Sequence, residues 1–235
     1  MNAVVSGCSL PNLLQRYRTP ADLPRCLPIF PLRRAIVLPR VALPLTIFEP
    51  RYLALLEDAI AGDRVVGLVQ PKGGDEESPP GKSVELRSVG GVGRLTAYEE
   101  LDDGRLLITL SGIARCRLEE EVASDKPYRL WNVDFERFRE DFVAGSGEDT
   151  VNRGNLLETL RTYLEARNLS ADWSAIASAS TERLVNSLAV ISPYGPEEKQ
   201  ALLEAPDLKT RAEMLVALAE LDLATGSEGS GARLQ

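Results

Sequence analysis

Apolar positions change their period along this chain. Over residues 27–135 they come in short runs and alternations, as strands require, and beyond residue 150 they recur at helical spacing. Two apolar runs studded with prolines, 27–32 and 36–45, come first. A helix is predicted from Pro50, because proline suits a first turn whose N–H has no partner. Glu49 precedes it at the positive end of the helix dipole. Leu53, Leu56 and Ile60 give that helix an apolar stripe, and Gly62 is its stop signal. Residues 65–69 then read as a strand.

Strand patterning continues at 84–87 and 94–98, with Gly90, Gly91 and Gly93 between them. Asp103-Gly104, set between two strand patterns, marks a tight hairpin turn. After it Leu106, Ile108 and Leu110 share one face and Leu107 and Thr109 the other, while Gly112 permits a bend or bulge. Ala114, Cys116 and Leu118 alternate with Arg115, Arg117 and Glu119, so Cys116 reads as an inward-facing small hydrophobe. Trp131, Val133 and Phe135 fall on one face of a last strand over 128–135. The break at 144–147 (Ala-Gly-Ser-Gly) reads as a boundary. Helical stripes follow: Leu156, Leu157, Leu160, Tyr163 and Leu164, then Leu184, Leu188 and Ile191. Pro196 opens a helix that ends before Pro206, and Asp207 is the N-cap of a final helix lined by Leu208, Ala212, Leu215, Leu218 and Leu221. The fold class is therefore α+β. Residues 1–26 form an N-terminal arm, draped over the strands or partly disordered, in which Leu10, Leu13, Leu14 and Tyr17 could make one amphipathic turn. A β domain occupies 27–145, a helical bundle domain 146–223, and a flexible tail 224–235.

Composition mainly excludes. The 235 residues contain no histidine, which removes Ser-His-Asp and Cys-His catalysis and every His-ligated metal site. Cys8, Cys26 and Cys116 are too few and scattered for a zinc site and fit reduced thiols in a cytoplasm. The net charge of -8 argues against nucleic acid as the main partner. The first segment is nonetheless basic, with Arg16, Arg18, Arg25, Arg33, Arg34, Arg40 and Arg51 against Asp22 and Glu49. Gly81-Lys82-Ser83 imitates the end of a phosphate-binding loop. The glycine such a loop needs at position 76 is Glu76, and Pro79 and Pro80 remove backbone donors. Residues 71–83 are an exposed loop by composition, with room for a partner-contacting role. Val5-Ser6-Gly7-Cys8 looks like a lipoprotein cleavage box but lacks the basic and apolar stretches that should precede it. No apolar run approaches the about 20 residues of a membrane span, so a cytoplasmic protein is expected.

Several segments carry a family resemblance: LPIFPLR (27–33), LP (38–39), LPLTIFEPRY (43–52), VVGLV (65–69), VGGVGRLTAYEELDDGRLLITLSGIARCRL (89–118) and PEEKQALLEAPDLKTRAEMLVAL (196–218). With PYRLWNVDF (127–135) they resemble, in order, the substrate-recognition domain at the N-terminus of bacterial Lon protease, over about residues 27–223. The resemblance implies a PUA-like β-barrel followed by a C-terminal helical bundle. It also implies a non-catalytic module that binds unfolded or exposed apolar polypeptide segments, with a protease or chaperone as a further partner class. No ATPase or Ser-Lys protease module lies within these residues, no pair of side chains stands out as an active site, and no cofactor or metal is implied. A junction of barrel and helices favours a binding groove, and an unpaired barrel edge favours strand addition. The candidate peptide-binding residues are Phe48, Glu49, Arg51, Tyr52, Arg115 and Trp131. Each also has a structural role open to it: Phe48 and Trp131 as core, Glu49 as a helix-start charge paired with Arg51 or Arg115, Tyr52 packed under the barrel. An RNA-binding PUA-like protein is the alternative reading, and an enzyme of unrecognised type a third.

Overall fold

The computed structural model describes residues 16–73 and 84–228. The arm turn at Leu10, Leu13 and Leu14, the residues Gly81-Lys82-Ser83, and the tail beyond 228 lie outside the described residues. Six strands, β1 (Cys26–Pro31), β2 (Ala42–Ile47), β3 (Val65–Val69), β4 (Val89–Glu100), β5 (Leu106–Val122) and β6 (Arg129–Asp134), form one mixed sheet. Helix α1 (Pro50–Ala61) sits between β2 and β3. Five helices follow the sheet: α2 (Arg153–Ala166), α3 (Trp173–Ser178), α4 (Thr181–Ile191), α5 (Pro196–Glu204) and α6 (Leu208–Glu228).

The strand order is β2-β5-β4-β3-β1-β6, with β6 also paired to β5. Strand β5 makes this closure because it is long enough to hold two partners on one edge. Its first half pairs with β2 (Leu106 opposite Ile47), its second half with β6 (Val122 opposite Leu130). The sheet is thus closed only in part: β2 stands outside the ring of pairings, and the fold is α+β without being a clean barrel.

Glycines explain where the sequence pattern misleads. Gly90, Gly91 and Gly93 lie within β4 rather than before it. A Cβ at Gly91 would sit 2.0 Å from the Val37 carbonyl oxygen, and one at Gly112 would sit 1.9 Å from that of Leu38. The irregular segment between β1 and β2 therefore passes directly over β4 and β5, which is why only part of the second apolar run is strand. A register shift at Val92/Gly93 opposite Gly112 makes the expected bulge. Residues 84–87 contribute a single bridge, Leu86 with Pro71, rather than a strand.

Helix α1 begins and ends where the sequence places it, at Pro50 and Gly62. Its most buried residues are Tyr52, Leu55, Leu56 and Ala59, with Leu53 and Ile60 half-buried at the margins. Asp207 caps α6 by accepting from the Thr210 amide at 2.7 Å. Helix α3, capped by Asp172, is unexpected, being too short to show a period.

Three apolar clusters hold the chain together. One fills the ring of strands, with Cys116, Val133 and Phe135. Another lies between the sheet and α1. The third joins Ile36, Leu38, Val41 and Val89 to Leu184, Leu202, Leu203 and Leu215, so the sheet and the later helices share a core. Buried polar groups stitch the same interface. Gln200 donates to the Val89 carbonyl at 3.0 Å, Asn186 to that of Pro39 at 3.1 Å, and Arg211 to Asn186 at 2.8 Å. Lys199 donates to the Ala189 and Val190 carbonyls at 2.8 and 2.6 Å, closing the C-terminal end of α4.

Two outcomes are expected. Replacing Gly112 with alanine forces its Cβ into the Leu38 carbonyl, so chemical denaturation should show a loss of about 1–3 kcal/mol or more. Burial lowers the Lys199 ammonium from 10.5 to about 8. The unfolded chain then holds this proton more tightly, so the contribution to stability is present above 10.5 and lost as pH falls through about 8. Stability of the wild type relative to Lys199→Met should rise with pH across that window; a flat difference contradicts it.

Candidate functional site

Four of the six candidate residues come together where β2 turns into α1. Phe48 follows the end of β2 with its side chain in solvent, 66% exposed, so the core role does not hold for it. Glu49 turns away from its own helix start and pairs with Arg51, Oε2 to Nη2 at 2.7 Å. The Arg51 guanidinium lies 4.6 Å over the Tyr52 ring. Tyr52 is buried, its ring centroid 4.4 Å from that of Phe30, and burial raises its hydroxyl pKa. Phe48 is thus exposed next in sequence to a stack fixed by an ion pair, a cation–π contact and an aromatic pair.

The surroundings add apolar surface that the sequence reading did not assign. Leu107 and Tyr98 are exposed on neighbouring β5 and β4, and Leu43 and Leu45 of β2 are half-buried. The signal was there in part: Leu107 is a leucine at an outward position of an alternating strand. Strand β2 pairs only with β5 among the described strands, so its other edge is open. Pro44 within it offers no N–H, as suits an edge strand.

Arg115 and Trp131 lie elsewhere. Arg115 is 4% exposed on the sheet face that the helices cover. Its Nε and Nη2 donate to the Asp141 carboxylate at 2.9 and 2.8 Å, and its backbone amide to the same group at 2.8 Å. Its Nη1 donates to the Leu203 and Ala205 carbonyls at the end of α5. Glu49 is therefore paired with Arg51 and not with Arg115. The 3-10 helix Glu136–Phe142, which carries Asp141, also supplies Phe138, whose ring lies 4.6 Å from the Arg115 guanidinium. Arg115 has no free donor face for a ligand. Trp131 on β6 is half-buried beside Val133 and Phe135, with the Arg129 guanidinium 5.4 Å from its ring.

The sheet–helix junction is filled at its centre by the shared core. At its rim a cleft of about 710 Å³ remains, lined by Tyr17, Arg18, Arg40, Ser111, Ser180 and Arg183. Arg40 is committed within it, paired with Glu182 and donating to the Asp141 carbonyl at 2.9 Å. The basic first segment is similarly engaged elsewhere: Arg33 donates to the Gly73 carbonyl at 2.7 Å, and Arg16 lies 5.5 Å from the Tyr17 ring. Among the described residues no group of His, Cys, Asp and Glu could hold a metal ion, and no helix is long and apolar enough to cross a membrane.

The chain matches the family model of the ATP-dependent protease La (LON) substrate-binding domain over residues 26–220. Lon protease 2 of Myxococcus xanthus is 29% identical over 221 residues, which is 92% of this chain and 26% of that protein. Lon protease of Anaeromyxobacter dehalogenans is 28% identical over 200 residues, 84% of this chain and 23% of the relative. The chain thus spans about a quarter of the length of the curated relatives it matches. The N-terminal domain of a Mycobacterium avium complex Lon protease superposes with a TM-score of 0.60 at 16% identity, covering 83% of this chain and 98% of that one. A Lon N-terminal domain protein from Xanthomonas campestris gives 0.57 at 22% identity, covering 82% and 97%. At these identities the structural likeness speaks for the fold.

Removing the Asp141 carboxylate leaves a buried guanidinium without its counter-charge. Asp141→Ala should cost about 3–5 kcal/mol in urea denaturation. Phe48→Ser, at an exposed position, should stay within about 0.5 kcal/mol of the wild type.

Proposed function

The chain belongs to the LON substrate-binding domain family, and on that premise we propose that it is a non-catalytic module that binds unfolded or apolar segments of other proteins. The observation that carries this reading is the exposure of Phe48 and Leu107 beside the open edge of β2, with Tyr98, opposite Ile108, exposed on the other face of the sheet. An extended segment laid along β2 gains main-chain hydrogen bonds and places alternate side chains beside Leu107 on one face and Tyr98 on the other. The Glu49–Arg51–Tyr52 stack fixes the start of α1 next to Phe48 in the chain, which limits the order lost on binding. Arg115 acts in this reading through the fold and not by contact.

The part of the sheet closed by β5 and β6 is read as the PUA-like barrel of a two-part chain, 27–145 and 146–223. Polypeptide is favoured over RNA because Arg33, Arg40 and Arg51 are engaged within the protein. ATP-driven unfolding and peptide hydrolysis belong, by resemblance to Lon, to modules outside the matched region. A cytoplasmic setting accords with the few, scattered cysteines, Cys8, Cys26 and Cys116.

The test is fluorescence anisotropy with a labelled, reduced and carboxymethylated protein, its folded form serving as control. Saturable binding to the unfolded form is expected, weakened about tenfold or more (about 1.4 kcal/mol) by Phe48→Ser or Leu107→Ser. Equal binding of both forms, or no effect of either substitution, refutes the reading.

A further inference from the structure

A second apolar surface lies on the helices, separate from the one beside Phe48. The stripes of α2, α4 and α6 do not close on one another. Leu156, Leu160, Tyr163, Leu188, Ile191 and Leu215 line a cavity of about 210 Å³ between them. An apolar cavity of about 150 Å³ accepts benzene, so this one has room for a large side chain such as leucine or phenylalanine. It opens past Tyr163, Leu169, Pro193 and Tyr194, which it shares with an adjoining cleft that reaches Leu221. Ile191, Leu169 and Leu221 are 71%, 57% and 61% exposed. Three large aliphatic side chains in solvent around one depression are an interaction surface rather than scattered surface residues.

Charge identifies the occupant. Residues 148–228 hold fourteen acidic against seven basic side chains, and two of the basic ones, Lys199 and Arg211, are buried. At the groove Arg167 is already matched, pairing with Asp222 at 2.6 Å. Glu198 lines the cleft that reaches Leu221. We propose that the groove between α2, α4 and α6 docks a cationic amphipathic helix of a protein partner, its apolar side chains entering the cavity and its lysines or arginines facing Glu198. Two joined depressions suit two apolar anchors one or two helical turns apart. The acidic rim raises the encounter rate and rejects acidic sequences of the same apolar pattern. This site stands whether or not the surface beside Phe48 binds polypeptide.

The experiment is anisotropy of a labelled leucine–lysine peptide of helical pattern, titrated with the full chain. Saturable binding is expected, weakening with added salt. Ile191→Ser and Leu169→Ser, both at exposed positions, should each reduce affinity about tenfold, as should Glu198→Lys. Phe48→Ser should leave it unchanged, which separates this site from the surface beside β2. Circular dichroism and the thermal midpoint of each variant establish that it is folded. Equal binding of the matching leucine–glutamate peptide overturns the charge assignment. Unchanged affinity in folded Ile191→Ser overturns the site. A dimer by sedimentation that Ile191→Ser dissociates assigns the groove to a second copy of the chain and overturns the proposal.

Discussion

Arg115 holds the sheet and the helices in one arrangement. It rises from the middle of β5, is held from three atoms by the Asp141 carboxylate, and reaches the carbonyls that end α5. A buried guanidinium is costly unless every donor has a partner, and these partners come from two separate stretches of chain. The geometry therefore tolerates one relative placement of β5, the 3-10 helix and α5. Glu182 and Asn186 extend the same network by tying α4 back to Arg40 and Pro39, and Arg211 joins α6 to Asn186 and to the Leu202 carbonyl. Arg40 itself takes a positive φ of 64°, uncommon without glycine, where the chain turns to enter β2.

This rigidity bears on function. The centre of the sheet–helix junction is occupied by core and network, so contact with other molecules is left to surfaces on either side of it. On the sheet side the stack that follows Phe48 is built from short-range contacts within Glu49–Tyr52 and one long-range partner, Phe30. On the helix side the groove exists because α2 and α6 meet along one side while α4 ends early, at Ile191, before Ser192-Pro193. Both surfaces are apolar and exposed on elements fixed by buried contacts, a condition for binding without a large ordering cost.

The parts of the fold legible in the sequence are those set by local chemistry. Pro50 and Gly62 bound α1, Asp207 caps α6, and Asp103-Gly104 turns β4 into β5. What depends on distant partners was not legible. Gly90, Gly91 and Gly93 look like a break and lie inside a strand, because the backbone that crosses them is more than fifty residues away for Gly91. Arg115 looks like an outward charge in an alternating strand, and its partner Asp141 lies 26 positions on. Phe48 looks like core by residue type, and only the turn from β2 into α1 shows that it faces water. The candidate site was legible as a region around residues 48–52; the two members outside it belong to the packing of the fold.

Site-specific photocrosslinking tests the central claim most directly. A photoreactive phenylalanine at position 48 is compared with one at Val143, which is similarly exposed but lies away from that surface. With an unfolded polypeptide present, the account predicts crosslinks from position 48 and background from 143. Equal yields from both positions would contradict it.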